Sequence, residues 1–197
     1  MEPTISPEDI FIRVQETPNP SAVKFVVNWP VKNEGKATFV SAEECRHIPL
    51  AESLLNINGV VQVYFFENTI TVTHDGSIDF DNLKDCVSAV LKTRLPIHNP
   101  NFYMEGETQS SSAWAERKHH ENPVLNEIEE ILDRTIRPGL QADGGDIEVL
   151  ELENDELKIL YQGACGGCPS SMMGTLEAIQ NILRHELGNN NLYVLPV

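Results

Sequence analysis

Two cysteines, Cys165 and Cys168, stand in the run Gly163-Ala164-Cys165-Gly166-Gly167-Cys168-Pro169-Ser170-Ser171. Thiols at this spacing can face one centre if the backbone between them turns tightly, and two intervening glycines permit dihedrals that a side chain would hinder. A helix starting just after them supplies free N–H groups and a positive dipole end, which favour thiolate over thiol. Both cysteines are therefore expected to be ready to bind metal or to exchange. Two thiolates are half of what a tetrahedral zinc or an iron–sulfur cluster takes. The remaining cysteines, Cys45 and Cys86, lie far upstream in a different composition regime. Either the site is completed from elsewhere or the pair is a redox dithiol.

The elements around the pair are legible from period and punctuation. Asn122-Pro123 reads as a cap with proline at the first helical position, followed by an apolar face of Val124, Leu125, Ile128, Ile131, Leu132 and Ile136 that ends near Arg137-Pro138-Gly139. Ile147 and Val149 open a strand, Asn154-Asp155 makes a turn, and Leu157, Ile159 and Tyr161 alternate in a second strand that leads directly into Cys165. After the cysteines, Met172, Leu176, Ile179, Leu183 and Leu187 repeat as a helix, Gly188 stops it, and Leu192 to Leu195 offers a last strand. The expected order is α-β-β-CxxC-α-β. Asp143-Gly144-Gly145-Asp146 reads as a helix-ending turn in which glycine supplies positive φ and aspartate caps backbone N–H groups.

Upstream, residues 10–16 alternate as a strand, Thr17-Pro18-Asn19-Pro20 turns, and Ala22 to Asn28 forms a second apolar stretch. Ala37 to Val40 reads as a short strand, Pro49 to Ile57 as a short helix closed by Gly59, and Val60–Phe66 and Thr69–His74 as two strands. Asp79 or Asp81 caps a helix running to about Leu95, with Leu83, Cys86, Val87, Val90 and Leu91 on its buried stripe. Cys86 is thus expected to be a small buried hydrophobe, while Arg46 and His47 could depress the pKa of Cys45. Between Pro96 and His120 the text loses periodicity and becomes rich in turn and polar residues, including Trp114. His119 and His120, at its end, are expected to be solvated or capping. The fold class is α+β, as two small mixed domains: 1–95, a linker 96–121, and 122–197.

Of 197 residues, 30 are acidic and 14 basic, a formal charge of −16, and no basic cluster is left to neutralise phosphates. Nucleic acid and anionic membrane are poor partners for such a chain. Residues 122–197 carry 13 acidic against 4 basic side chains, the most negative of the three segments. No apolar run approaches the roughly 18 residues of a membrane span. The start, Met1 to Asp9, is acidic and proline-broken and resembles neither a signal peptide nor an Arg-rich transit peptide. A cytoplasmic location is expected, where a close thiol pair is more often metal-binding or redox-active than a structural disulfide.

Arg137 to Glu148, the run Tyr161 to Ser171 and the amphipathic helix after it together resemble the C-terminal domain of the NifU family, the Nfu-type iron–sulfur proteins. Three elements agreeing in order and spacing make that match specific. Gln15 to Phe25 and Ile57 to Phe66 resemble the companion N-terminal domain of two-domain Nfu proteins. Gly166 stands where many relatives have serine. The resemblance implies a carrier, not an enzyme: a protein that binds a [4Fe-4S] cluster through Cys165 and Cys168, receives it from an upstream donor and passes it to apo iron–sulfur client proteins. Four cysteine ligands at two per chain then imply a homodimer when loaded, the cluster shared between two chains. The N-terminal domain is expected to be a docking or regulatory module.

Two other readings belong to different classes. A dithiol–disulfide oxidoreductase also places CxxC at a helix start, but the β-β hairpin before the motif does not predict the parallel βαβ setting of that architecture, and Gly163-Ala164 replaces the usual aromatic residue. A structural dimer could hold zinc between two CxxC motifs.

Overall fold

The structure, a computed structural model, describes residues 5–103, 120, 122–166 and 169–197, without the side chains of 169–173. Cys168, Trp114 and His119 fall outside these described positions, as do the side chains of Met172 and Met173.

The first unit is built on alternation. Strands β1 (Ile12–Glu16), β2 (Ala22–Val27), β3 (Lys32–Phe39), β4 (Val60–Glu67) and β5 (Thr69–His74) form one antiparallel sheet in the order β1-β2-β5-β4-β3. Because successive side chains alternate faces, Val23, Phe25, Val63, Phe65, Ile70 and Val72 share one face, and all are buried. Helices α1 (Pro49–Leu55) and α2 (Phe80–Arg94) join that core through Leu50, Leu54, Leu83, Val87 and Leu91. The Asp79 side chain caps α2 by accepting from the Asn82 N–H at 3.1 Å. The register Lys24↔Thr71↔Tyr64↔Thr38 runs across the opposite face. Such a polar row is ordinarily wet, yet Tyr64 and Thr71 are each 1 % exposed.

Three details differ from the alternation-based expectation. Cys86 is exposed: the buried stripe of α2 is Leu83, Val87 and Leu91, four residues apart, and Cys86 falls to its side. Cys45 is buried, and that burial raises its pKa rather than letting Arg46 and His47 lower it. After a 3₁₀ turn at Leu95–Ile97 the chain folds back on the sheet. There the His98 ring meets the Val31 carbonyl at 2.6 Å, and Phe102 packs within 6.1 Å of Phe39 and 6.3 Å of Phe65, centroid to centroid.

In the second unit, Asn122 caps α3 (Pro123–Thr135) by accepting from the Val124 N–H at 3.0 Å. The helix does not run on to Gly139 but breaks at Ile136, and Pro138 sits in the first turn of a short helix α4 (Arg137–Ala142). Strands β6 (Gly145–Glu153) and β7 (Glu156–Gly163) form a hairpin whose turn residues Asn154 and Asp155 take φ of 49° and 66°. Helix α5 (Pro169–Leu187) crosses over, and β8 (Tyr193–Pro196) lies parallel to β7, giving the order β6-β7-β8. The cysteine motif therefore does stand between a strand and the helix of a parallel crossover. The hairpin ahead of the motif carries no information about the strand beyond α5, because pairing of β7 and β8 is non-local.

Candidate metal centre

Cys165 sits at the C-terminal end of β7, where Gly163 (φ 62°) turns the chain and the Gly166 N–H donates to the Gly163 carbonyl at 3.1 Å. The turn packs against the Asp143-Gly144-Gly145-Asp146 segment, with the Ala164 N–H donating to the Gly144 carbonyl at 3.1 Å. In keeping with its sequence, this segment ends a helix with glycine at positive φ, Gly144 at 82°. Gly145 has a further reason: a Cβ there would lie 2.3 Å from Cys165 Sγ and 2.8 Å from its N. The segment is thus the wall against which the cysteine loop is laid. Asp146 is more than a cap. Buried, it accepts from the Ile147 N–H at 2.7 Å and pairs with Lys36 Nζ at 3.1 Å and Arg137 Nε at 3.5 Å. Arg137 in turn binds Glu129 at 2.5 Å and Asp133 at 2.6 Å.

Cys165 Sγ is half-buried beside a cavity of about 100 Å³ lined by Pro18, Asn19, Leu140, Asp143 and Tyr161 among others. Burial first, then the charges of Asp143 and Asp146, push its pKa up to about 12. This reverses the expected readiness: in this arrangement the group is a thiol. The helix-dipole argument neglects the burial of the sulfur and the carboxylates that the turn brings beside it. The same two carboxylates would favour a cation at that sulfur, so a metal bound there would replace the proton rather than meet a free thiolate. Tyr161, with its pKa pushed up to about 12 by burial and then by Cys165, has a buried hydroxyl without a hydrogen-bond partner among the described residues. Among the described residues no three His, Cys, Asp or Glu side chains are grouped to hold a metal ion.

The first unit reaches the same loops with side chains that sequence reasoning passes over. Asn19 Nδ2 donates to the carbonyls of Ala164 (2.9 Å) and Gly166 (3.4 Å), on either side of Cys165. Gln62 Nε2 donates to the Gly163 carbonyl at 3.4 Å and Thr71 Oγ1 to the Gly144 carbonyl at 2.7 Å. Lys24 Nζ donates to the Ala142 carbonyl at 2.8 Å, at the end of α4, and Lys36 Nζ to the Ile147 carbonyl at 3.0 Å. Burial lowers the pKa of both lysines, and the charges of Asp143 on Lys24 and Asp146 on Lys36 act against it. The available signal is the outward register of Lys24, Thr71 and Tyr64, which period-2 patterning assigns to solvent. His120 is not simply solvated: it lies 3.3 Å from Glu129, and its backbone bonds with the Asn126 side chain.

Comparison with known proteins matches the chain in two stretches. Residues 128–192 match the NifU-like domain and residues 12–97 match the scaffold protein Nfu/NifU N-terminal domain. NifU-like protein 5, mitochondrial, of Arabidopsis thaliana is 35 % identical over 179 residues, 89 % of this chain and 64 % of that protein. The human NFU1 iron-sulfur cluster scaffold homolog, mitochondrial, is 34 % identical over 182 residues, 89 % of this chain and 67 % of that protein. The chain thus spans about two thirds of the length of these relatives. The solution structure of a NifU-like protein from Saccharomyces cerevisiae overlaps 45 % of this chain and 80 % of that one at 21 % identity and a TM-score of 0.41, too loosely to argue from. The cytoplasmic location expected from the first residues does not stand, since these relatives are named as mitochondrial proteins. No described helix is long and apolar enough to cross a membrane. With both halves matched in order and a relative aligned along most of the chain, the protein belongs to the Nfu family of NifU-like proteins, in its two-domain form.

Proposed function

We propose that the chain is an iron–sulfur cluster carrier that holds a [4Fe-4S] cluster as cargo between Cys165 and Cys168 of two copies and hands it to apo-proteins, as a non-enzymatic step in the mitochondrion. The observation that carries this reading is the setting of Cys165. Its sulfur lies half-buried in a turn, beside a small cavity and two carboxylates. The names of the relatives, iron-sulfur cluster scaffold homologs, support the same role. Loading deprotonates each thiol, and the Asp143 and Asp146 charges that resist deprotonation in the free protein favour the incoming iron. A site near the surface suits delivery, because a client thiolate must reach the cluster to displace a bound one. In the proposed division of labour, residues 122–197 bind the cluster and residues 1–95 serve docking and regulation.

Anaerobic reconstitution with iron and sulfide tests it. The expected product is brown, with broad absorbance near about 400 nm, two irons per chain by the half-site arithmetic, and dimeric mass. Cys165→Ser and Cys168→Ser each abolish it. A colourless protein holding zinc overturns the reading in favour of a structural dimer.

The parallel β7-α5-β8 crossover favours one other reading, a dithiol–disulfide oxidoreductase. The raised pKa of Cys165 opposes it, since thiolate is the exchanging species. Turnover in a disulfide reductase assay decides between the two.

A further inference from the structure

The polar face of the first sheet is covered, and the cover is the cysteine loop of the same chain. Five side chains from four strands and a turn converge on two adjacent segments. Asn19 and Gln62 bind the carbonyls of 163, 164 and 166, while Thr71, Lys24 and Lys36 bind those of 142, 144 and 147. Lys36 also enters the buried Asp146–Arg137 pair. The fit is close enough to exclude side chains. A Cβ on Gly144 would meet Thr71 Oγ1 at 2.8 Å, and one on Gly163 would meet Tyr64 Cδ1 at 2.9 Å. Charge is complementary as well, since basic groups of the first unit meet the acidic turn of the more acidic one. Pro18 and Asn19 line the cavity at Cys165, so the first unit occupies space next to the sulfur.

We propose that the outer face of the first sheet is a docking surface for the Asp143–Asp146 turn and the Cys165 loop of its own chain, a cover that must lift before Cys165 can share a cluster with a second copy. The proposal rests on the carrier reading. A cluster shared by two chains brings the partner's cysteine loop to within side-chain reach of the same iron–sulfur core, and Pro18 and Asn19 line the cavity beside the sulfur that would bind it. The contacts suit a reversible cover. Among the described residues the polar contacts are hydrogen bonds and one ion pair, which exchange with water at modest net cost, in contrast to the apolar face behind them. Asp146 keeps Arg137 when Lys36 withdraws, so the second unit is not left with an unpaired buried charge.

The test uses the full chain carrying Asn19→Ala and Thr71→Ala, which add no charge beside the sulfur. Asn19→Ala removes the donor to the carbonyls of Ala164 and Gly166, and Thr71→Ala the donor to the Gly144 carbonyl. Iodoacetamide labelling of Cys165, read by peptide mass spectrometry, is expected to quicken about tenfold, the factor worth one to two neutral hydrogen bonds. Cluster loading in the same variant is expected to quicken several-fold with the final iron per chain unchanged. Gln62→Ala, a milder substitution, shifts both rates in the same direction. Labelling at the wild-type rate, or faster labelling with loading no faster, overturns the cover. Should no iron be taken up by the wild type, the carrier reading fails, while labelling still decides whether the first unit shields Cys165.

Discussion

The two faces of the five-stranded sheet are made by the same strands and do opposite work. The face toward α1 and α2 is Val23, Phe25, Val63, Phe65, Ile70 and Val72, a dry apolar layer with no bond to exchange with water. The face toward the second unit is Lys24, Lys36, Gln62 and Thr71, joined through polar atoms, with the Tyr64 ring packed among them. The first face is cohesive because water gains nothing by entering it. The second is specific and separable, because each of its bonds has an aqueous equivalent. Burial alone does not distinguish a core from an interface; the chemistry of the buried atoms does.

The sharpest way to break the comparison is to truncate the apolar face. Phe65→Ala removes a fully buried ring that packs edge-on against Phe39, and is expected to cost about 3 to 5 kcal/mol in chemical denaturation. A cost under about 1 kcal/mol would remove the distinction between the faces. Gly145→Ala comes next, at the wall behind the cysteine. A Cβ 2.3 Å from Cys165 Sγ must displace the loop, so iron bound on reconstitution should fall sharply, with a stability loss of about 1 to 3 kcal/mol. Normal iron content in a folded Gly145→Ala protein would show that the loop does not depend on this wall.

A pH titration probes the polar side. The Cys165 pKa is raised to about 12 from 9.0, so the folded state keeps a proton that the unfolded state releases between those values. The contribution is present in full below pH 9 and is lost as pH rises toward 12, so stability falls across that window. The alkylation rate of Cys165 should likewise stay low through pH 9 and climb only above it; a midpoint at or below the ordinary thiol value would contradict the shielding by Asp143 and Asp146. Smallest of all is Cys86→Ala. On the exposed side of α2 it is expected to change stability by less than about 0.5 kcal/mol, whereas Cys45→Ser, which puts a hydroxyl in the apolar core, should cost more.

Much of this arrangement is written in local pattern. Asn122-Pro123 announces the start of α3, Asp79 that of α2, and the alternation of Leu157, Ile159 and Tyr161 the strand that delivers Cys165. Local pattern fails where two meanings share one residue type. Pro138 ends one helix and begins another, so Arg137–Ala142 reads as a stop although it forms α4. Cys86 lies one residue from Val87, and a helical wheel divides faces too coarsely to separate them. Lys24 and Thr71 point away from the apolar core, and alternation tells only that they leave it, not what they meet.

By itself the chain determined its two α+β units, their capped helices and alternating strands, the acidic character of the second unit and the thiol pair at Cys165 and Cys168. Those properties arise from side-chain period, capping and composition, which act over a few residues. Tertiary structure decided the rest. It set β8 parallel to β7, laid Gly145 against the Cys165 sulfur, and buried that sulfur beside Asp143 and Asp146, which together raise its pKa. It also carried Asn19 and Lys36 across more than a hundred residues to the same loops. Charge, burial and steric reach depend on distance in space, and no local pattern encodes which distant residue will supply them.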